Sequence, residues 1–366
     1  MTEKQIHKPP LHQWHEERDA KWITSAGWKL PGHYGDVAAE YYLFQSAAAL
    51  VDKSNCGILK VTGDTAQDFL HRMTSASVED LRPGHAMETV ITTSEGRFVD
   101  WVLLVHTGDE FLTMITSPGA QESIVEHLNG YIFFKDDVHF EQIGSDWILL
   151  QISGPGSREA LEHFHDGKFD PPDEIHEILP FQTAEGGGYL IRVGGILEEN
   201  YLVLWPVVSL EQLVNQLNSS ADRVRPAGQY AYECARIESG IPGYPQEINE
   251  RYMMLEAHLE SPLDMTSCFA GQEVIARTVN FGKIKQHLCH LKFTDQPDGE
   301  PELPVRLYSG ENRIGWLTSL APSPHESYSM GLGYVKTKYV EVGVEVEVRE
   351  DDWKLTGKLT GKTTSR

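Results

Sequence analysis

Short apolar segments rich in β-branched and aromatic residues recur in the first two thirds of the chain, and turn-forming Gly, Asp, Asn or Pro residues bound them. This pattern is typical of strands. It predicts strands at 98–105, 111–116, 147–152 and 201–205. Apolar positions at helical spacing predict helices at 121–128, 210–217 and 227–238. Because the two kinds of element interleave without a regular βαβ pattern, we predict an α+β fold.

Capping residues and an internal repeat support this interpretation. Ser209 and Gln212 occupy capping-box positions before the helix at 210–217. Residues 61–70 (VTGDTAQDFL) and 152–161 (ISGPGSREAL) share one pattern, which predicts a strand, a glycine turn and a helix in each copy. The repetition predicts that the fold contains duplicated α/β halves.

Apolar and polar residues alternate in the part of the chain after Gly282. This alternation covers the segments 287–293, 305–308, 313–320, 330–335 and 342–348. Several short strands of this kind predict a small antiparallel barrel or sandwich, and we expect a C-terminal antiparallel β-barrel. The same alternation places His287 and Cys289 on one face. No further ligands stand at the spacing of a tetrahedral zinc site, so we predict no metal centre.

The length of the chain predicts more than one domain, because 366 residues exceed an ordinary single domain. We predict a flexible N-terminal arm at 1–26, a region of two subdomains at 27–278, and the barrel at 279–366. The arm is expected to be solvated because Pro9 and Pro10 interrupt helix formation. Its first residues lack the apolar core of a secretory signal, and no apolar run reaches membrane-spanning length.

Charge and cysteine content exclude several classes of function. The 31 Lys and Arg residues against 54 Asp and Glu residues give a formal net charge of −23. This charge opposes sequence-independent binding to nucleic acid or to anionic membranes. The four cysteines are scattered and contain no C-x-x-C pair, which favours neither a zinc knuckle nor a disulfide scaffold. A reducing compartment follows, and we expect the cytoplasm.

The segment DMTSCFAGQEVIAR at 264–277 carries the strongest candidate chemistry. It brings together Cys268, Gly271, Gln272, Glu273 and Arg277, a mixture that packing alone does not require. An isolated cysteine is often only a small buried apolar residue, so this alternative stays open for Cys268.

A second candidate is Asp100, which interrupts the apolar segment FVDWVLLV. An ionised carboxylate is costly to bury unless another group compensates it. The alternative is a strand position that faces solvent, since alternate residues of a strand point to opposite sides.

Two motifs carry a resemblance to a known family. The run CFAGQE is similar to the C-F/Y-x-G-Q-E signature of the YgfZ branch of the glycine-cleavage T-protein superfamily, and ARIESGIPG at 235–243 resembles its R-x-E-A-G-x-P element. The segment GWKLPGHYGD at 27–36 resembles the G-W-x-M-P-x-x-Y-G element of the aminomethyltransferases. The chain departs from the YgfZ pattern at Thr266 and Ser267, where the family usually has Lys-Gly.

The resemblance implies a folate site in a central channel and assigns residues to it. The stretch TSEGRFVD is similar to the G-G-x-x-D-D-L element, which implies that Asp100 helps to hold and activate the folate. Trp101 stands where the second acid would be. The stretch RVGGILEENYLV resembles R-T-G-Y-T-G-E-x-G-x-E, which implies that Glu198 binds the pterin ring and, with the ARIESG run, that Arg236 lies towards the folate.

Two hypotheses about function follow from the resemblance. The first is a YgfZ-like protein that binds tetrahydrofolate and supports iron-sulfur enzymes, including a tRNA-modifying one, with Cys268 as the essential thiol. The alternative is a tetrahydrofolate-dependent aminomethyltransferase or demethylase. Thr116 and Asn55 replace an asparagine and a histidine that the aminomethyltransferases carry. A third possibility is a binding module that has kept the fold and lost folate.

Overall fold

The computed structural model describes residues 6–164, 169–196, 199–282, 284–296, 302–324, 327–350 and 353–364. Their helices are α1 His12–Glu16, α2 Val37–Ser46, α3 Ala66–Met73, α4 Gln121–Asn129, α5 Ser157–Glu162, α6 Leu210–Ser219, α7 Gln229–Glu238 and α8 Gln272–Phe281. No helix of this described part is long and apolar enough to cross a membrane. The mixed helix and strand content confirms the predicted fold class.

Strands make up the larger share of the regular structure. The first thirteen are β1 Lys21–Ser25, β2 Trp28–His33, β3 Ala48–Asp52, β4 Cys56–Thr62, β5 His85–Thr92, β6 Phe98–His106, β7 Leu112–Pro118, β8 His139–Gln142, β9 Trp147–Ser153, β10 Ile178–Thr183, β11 Gly186–Arg192, β12 Asn200–Pro206 and β13 Val224–Pro226. The remaining six are β14 Gln286–Phe293, β15 Val305–Ser309, β16 Asn312–Pro322, β17 Ser329–Lys336, β18 Glu345–Glu350 and β19 Trp353–Lys362.

The chain divides into two compact units. The first, the N-unit, comprises Met1–Arg72, Ser77–Thr89 and Val102–Tyr232. The second, the barrel unit, comprises Met73–Ala76, Val90–Trp101 and Glu233–Arg366. The predicted division at residue 278 falls inside α8, and the barrel unit also includes two short segments from the first third of the chain.

Two sheets form the core of the N-unit. Strands β10-β11-β12-β9-β3-β13 form a six-stranded sheet, and β5-β6-β7-β4-β8 form a five-stranded sheet. Apolar side chains from both sheets pack against each other, among them Ile58 and Ile115 from one and Leu149 and Leu204 from the other. A second cluster includes Leu150 of the six-stranded sheet and apolar residues of the helices. Strands β9 and β12 are therefore buried on both faces, because alternate residues belong to the two different clusters.

The predicted repeat is present in the N-unit. Strand β4 leads through Gly63 into α3, and β9 leads through Gly154 into α5. Both glycines have positive φ, 114° and 121°, and a Cβ would collide with the Asp137 carbonyl oxygen at the first and the Ala47 carbonyl oxygen at the second. Only glycine fits such a turn without strain, which explains why the same residue stands in both copies.

The capping box predicted for α6 is not formed, although the helix is. The Ser209 hydroxyl accepts a hydrogen bond from the Glu185 amide at 3.1 Å, and the Gln212 side-chain oxygen accepts one from the Ala184 amide at 2.7 Å. Both side chains therefore hold the turn between β10 and β11. Ser209 and Gln212 form hydrogen bonds to this turn instead of capping the N-terminus of α6.

The prediction of a solvated arm at 1–26 is wrong for the segment that begins at Leu11. Leu11 and Trp14 are 1% and 4% exposed, and both belong to the core cluster around the six-stranded sheet. Leu11 immediately precedes α1 and Trp14 lies within it, three residues later, so both side chains lie on one side of this segment. Pro9 and Pro10 precede this helix and so do not interrupt it. Strands β1 and β2 then form a hairpin.

The barrel unit contains the predicted C-terminal barrel. Strands β14-β17-β16-β15-β18-β19 close on themselves in that order, with antiparallel pairing. Its interior is filled by alternate apolar residues of the strands, including Phe293, Leu317, Val348 and Leu359. The predicted strand at 342–348 begins only at Glu345, and the exposed Val342 precedes it. Strand β19 was not predicted, because its inward leucines alternate with Lys, Thr and Gly.

Candidate functional site

The motif segment, residues 264–277, begins with a tight turn in the barrel unit. The Asp264 carboxylate accepts hydrogen bonds from the Thr266 amide at 2.8 Å and the Thr266 hydroxyl at 2.6 Å. These bonds hold the pKa of Asp264 below its usual value. The Ser267 hydroxyl donates to the Asp264 carbonyl at 3.0 Å. The two residues that replace Lys-Gly are therefore used to form the turn.

Cys268 follows this turn and is exposed to solvent. The other three cysteines differ, because Cys56 is half-buried and Cys234 and Cys289 are buried. Burial raises the pKa of Cys234 and of Cys289 to about 12. Cys268 is thus the cysteine that reagents and partners can reach most easily, and the alternative of a buried apolar cysteine is excluded for it.

Gly271 fixes the start of α8 against the turn between β5 and β6. Its φ is 84°, and a Cβ would collide with the Thr93 carbonyl oxygen and lie 2.9 Å from the Cα of Gly96. The Thr92 hydroxyl donates a hydrogen bond to the Ala270 carbonyl at 2.6 Å. No other residue type fits this close backbone approach without a shift. Gly271 is therefore required by backbone packing at this turn.

The remaining motif residues close the loop and cover the helix surface. The Gln272 side-chain amide donates to the Met265 carbonyl at 3.1 Å and spans the loop that carries Cys268. Glu273 and Arg277 form an ion pair at 3.0 Å, with side chains that are 86% and 69% exposed. Such an exposed pair one helical turn apart contributes only about 0.3–0.5 kcal/mol.

Asp100 lies on β6 and is completely buried. The alternative that it faces solvent is therefore excluded. The Phe98 amide, two residues earlier, donates to the Tyr252 carbonyl at 3.0 Å and fixes this end of the strand within the barrel unit. Asp100 and the motif segment lie on the same unit, and the turn that contacts Gly271 leads directly into the strand of Asp100. Trp101 is half-buried at the alternate position.

Arg236 is the centre of a buried polar network in the barrel unit. It is 3% exposed, and its five N–H groups all have acceptors. These acceptors are the Glu233 and Glu247 carboxylates, the Ile241 carbonyl and the Ser319 hydroxyl, at 2.6–3.1 Å. The side chain joins α7, the following loop and β16. A contact of Arg236 with folate stays a prediction.

Glu198 lies outside the described residues, so its role as a pterin ligand stays a prediction. The two residues that follow it, Glu199 and Asn200, are held by hydrogen bonds in the N-unit. The Glu199 carboxylate accepts a hydrogen bond from the Arg158 amide at 3.1 Å. Asn200 is completely buried and accepts from the Ser153 hydroxyl at 2.5 Å. Asn200 therefore anchors the start of β12.

Sequence reasoning missed a buried hydrogen-bonded chain in the N-unit. The Tyr34 hydroxyl lies 2.7 Å from Nδ1 of His15, whose Nε2 lies 2.8 Å from the Asp52 carboxylate. Since a carboxylate only accepts, neutral His15 carries its hydrogen on Nε2 and accepts the Tyr34 hydroxyl at Nδ1. Burial, and then the nearby Asp52 and Glu40, raise the pKa of Tyr34 well above its usual value. Tyr34 lies in the aromatic segment at 27–36, and this segment was the feature of the sequence that could have pointed to the buried chain.

Metal-binding residues are not assembled in the described part of the chain. No group of three or more His, Cys, Asp or Glu side chains there could hold a metal ion. His287 and Cys289 are both buried, and the Cys289 thiol donates to the His287 carbonyl at 3.3 Å.

Comparisons with known proteins place the chain in a family. Residues 11–267, more than half of the chain, match the GCVT N-terminal domain, and residues 286–362 match the glycine cleavage T-protein C-terminal barrel domain. The chain is 30% identical to a putative chloroplastic transferase of Arabidopsis thaliana, At1g60990, over 84% of its own length and 70% of the relative. It is 25% identical to an aminomethyltransferase of Geobacillus kaustophilus over 94% of both chains.

A solved structure shows the same fold. The aminomethyltransferase T of the glycine cleavage system from Bartonella henselae superposes with a TM-score of 0.85 over 98% of both chains, at 20% identity. Because the GCVT N-terminal domain matches more than half of the chain and the C-terminal barrel domain matches residues 286–362, the chain belongs to the glycine cleavage T-protein family.

Proposed function

We propose that the chain binds tetrahydrofolate or a derivative and acts on or with a one-carbon unit. The observation that supports this most strongly is the complete burial of Asp100 on β6, within the unit that also carries the motif segment. A carboxylate held away from water interacts more strongly with a polar ligand than an exposed one does. Family membership supplies the folate expectation, because the similar aminomethyltransferases belong to a folate-using system.

The finer function we propose is the YgfZ-like one. In this role folate binding accompanies a task at Cys268 in the maintenance of iron-sulfur enzymes, including a tRNA-modifying one. Its support is the exposed thiol in the CFAGQE run, on a loop fixed at both ends by hydrogen bonds. The four free cysteines agree with a reducing compartment, and we keep the cytoplasm as the expected location.

Two positions that carry polar residues in the aminomethyltransferases support the same choice. The Thr116 hydroxyl accepts a hydrogen bond from the Gly57 amide at 3.2 Å and donates to the Ser117 carbonyl at 3.1 Å. The Asn55 side-chain amide donates to the Ser25 hydroxyl at 3.2 Å. Both side chains are engaged in contacts that hold the N-unit together, which suits a protein without aminomethyl transfer.

The second candidate is a tetrahydrofolate-dependent aminomethyltransferase or demethylase. The retained Asp100 and the names of the similar proteins favour it. In this role Asp100 would orient the N5 and N10 region of the folate and hold a proton there while a one-carbon unit moves to it. A buried carboxylate on a rigid strand fits that task.

Calorimetric titration with 5-formyltetrahydrofolate tests the shared part of the proposal. Wild type should bind saturably. Glu198→Ala should lose affinity by roughly 1–3 kcal/mol, because two ring donors lose their acceptor. Glu199→Ala is the matched control, since Glu199 serves the Arg158 amide. Absence of binding to the wild type would refute folate binding and favour a fold that has lost its ligand.

Two further assays separate the candidates. A turnover assay measures 5,10-methylenetetrahydrofolate and ammonia formed from tetrahydrofolate and an aminomethylated donor, or 5-methyltetrahydrofolate formed from tetrahydrofolate and an N-methylated amine. Turnover that Asp100→Asn abolishes would identify the transferase. Complementation of an iron-sulfur enzyme defect that Cys268→Ala abolishes, while Cys56→Ala retains it, would identify the YgfZ-like role. Full complementation by Cys268→Ala would refute the role of this thiol.

A further inference from the structure

His258 has an unusual backbone conformation in the loop that leads to Cys268. Its φ is 59°, in the left-handed region that is uncommon for residues other than glycine, and its side chain is only 9% exposed. The flanking loop is fastened to the barrel, because the Leu288 amide of β14 donates to the Glu256 carbonyl at 2.7 Å. Backbone strain persists only where surrounding contacts enforce it. The contacts of the imidazole should therefore show what enforces it.

The His258 ring lies parallel to the ring of His287 on β14. The ring centres are 5.2 Å apart and the planes differ by 6°. Among the described residues, Nε2 of His258 and Nδ1 of His287 are buried without a hydrogen-bond partner. The ammonium of Lys362 on β19 lies 3.3 Å from Nε2 of His287. Because an ammonium only donates, Nε2 accepts, and the neutral ring carries its hydrogen on Nδ1.

The surroundings of the ring pair favour its neutral form. Burial, then Lys362, then His258 lower the pKa of His287 to about 4. Burial and then Lys362 also lower the pKa of His258, which Glu260 raises to a smaller extent. The elements packed here carry further titratable or charged groups. These are Glu256 and Asp264 on the loop, Lys285, Cys289, His290 and Lys292 at β14, Tyr334 and Lys336 on β17, and Lys354 and Lys358 on β19.

None of these other groups provides a carboxylate for the ring pair. The Glu256 carboxylate accepts from the Met253 amide at 3.1 Å and from the Gln286 side chain at 3.2 Å, and burial raises its pKa. Lys336 donates to the Arg313 carbonyl at 2.7 Å. A proton added to either ring would therefore place a buried cation beside Lys362, which is unfavourable in a site of low dielectric.

We propose that His258 and His287 form an acid-sensitive latch, which holds the loop 253–264 against β14 while both rings are neutral and releases it when either is protonated. In the open state the added proton would stay on the imidazole, because water then solvates both rings. The loop continues into the motif segment, and its far end is fastened by the Ser75 hydroxyl, which donates to the Pro262 carbonyl at 2.8 Å. Opening of the latch would thus loosen the loop on the N-terminal side of Pro262, ahead of the segment that carries Cys268.

Hydrogen exchange of the full-length protein tests the latch. The Leu288 amide reports directly on the contact between the loop and β14, because its acceptor is the Glu256 carbonyl. After correction for intrinsic exchange, its opening equilibrium in the wild type should rise by roughly 20-fold between about pH 7 and about pH 5. This factor follows from a pKa of about 4 for His287 in the closed loop and the ordinary value of about 6.5 in the open one.

The variants are chosen to remove titration with little change of structure. His258→Asn keeps a residue that tolerates the left-handed conformation, and His287→Gln keeps an acceptor for Lys362. The double variant should show a flat pH profile at the Leu288 amide. Glu256→Gln should keep the pH response, which separates the latch from titration of that buried carboxyl. His163→Asn, at an exposed histidine, is the matched control.

The outcomes decide the proposal. A flat wild-type profile, or an equal pH response in the wild type and the double variant, overturns it. Loss of the response in Glu256→Gln also overturns it and assigns the effect to Glu256. If the double variant does not fold, carbon-13 NMR titration of the histidines in the wild type decides instead. Ordinary titration of His258 and His287 near 6.5 would overturn the latch, and depressed titration coupled to loop exchange would support it.

Discussion

Replacing Arg236 by methionine tests whether the buried network of the barrel unit stabilises the fold. Arg236 is 3% exposed, and Glu247 is completely buried. The two side chains meet at 3.0 Å. Methionine keeps an unbranched apolar stem like that of arginine but has no charge or donors, so the substitution removes the electrostatic contacts. The expected loss then comes mainly from the carboxylate that stays behind.

The magnitude follows from what Glu247 keeps. After the substitution it still accepts from the Gly243 amide at 2.8 Å and the Ser319 hydroxyl at 2.7 Å, but no cation remains beside it. Removal of one partner of a buried ion pair costs about 3–5 kcal/mol. The two remaining hydrogen bonds place the expectation in the lower part of this range, about 3–4 kcal/mol. Glu233, at 44% exposed, is rehydrated and adds little.

Urea unfolding measures this loss as a change in the free energy of unfolding. The matched control is Arg277→Met, which breaks the exposed pair with Glu273 and should cost only about 0.3–0.5 kcal/mol. The double variant Arg236→Met, Glu247→Gln removes the uncompensated charge and should recover part of the loss. The reasoning is refuted if Arg236→Met costs no more than Arg277→Met. Unchanged affinity for 5-formyltetrahydrofolate in folded Arg236→Met would show that the arginine is structural only.

Three further predictions concern the motif loop and the barrel. Gly271→Ala should destabilise by about 2–3 kcal/mol, because the new Cβ collides with backbone. Gly282→Ala, at a positive φ with open space around it, should cost only about 1 kcal/mol in the same urea assay. Cys268 should react with a maleimide in the native protein, whereas Cys289 should react only after unfolding; equal native rates would contradict the burial difference. His287 has a folded pKa below its unfolded value, so stability is full above about pH 6.5 and falls as the pH drops to about 4. The wild type should lose about 2–3 kcal/mol over this interval relative to His287→Gln, measured by urea unfolding at each pH.

The parts of the fold that the sequence predicted are those in which local pattern and tertiary environment agree. Strands β6, β9 and β12 were predicted because they are rich in β-branched and aromatic residues, and β9 and β12 are buried on both faces, in two different core clusters. The two glycine turns repeat because the backbone forbids a side chain there. Helix α1 was missed, because five residues are too few to show a helical period and Pro9 and Pro10 suggested an open chain. Its burial depends on a partner surface around Leu213, two hundred residues later.

The candidate site, like the fold, could be predicted only in part from the sequence. The sequence identified Asp100 and Cys268, but it left open whether each is buried or exposed, and the structure buries one and exposes the other. The acceptors of Arg236 could not be predicted, because Ser319 lies 83 residues away and Glu247 follows in an irregular loop. Long-range hydrogen bonds have no local pattern in the sequence, whereas a steric demand on one residue does.

The motif segment shows why a sequence match and a functional site need not be the same set of residues. Gly271 is required by a close backbone approach, Gln272 closes the loop, and Thr266 forms the turn with Asp264. These contacts all hold the loop in one conformation, and none of them uses the thiol of Cys268. The match to CFAGQE therefore predicts the geometry of the loop, and the chemistry depends on what Cys268 meets in solution. If the latch at His258 loosens the loop 253–264 in acid, the surroundings of the Cys268 thiol change without a change in any motif residue.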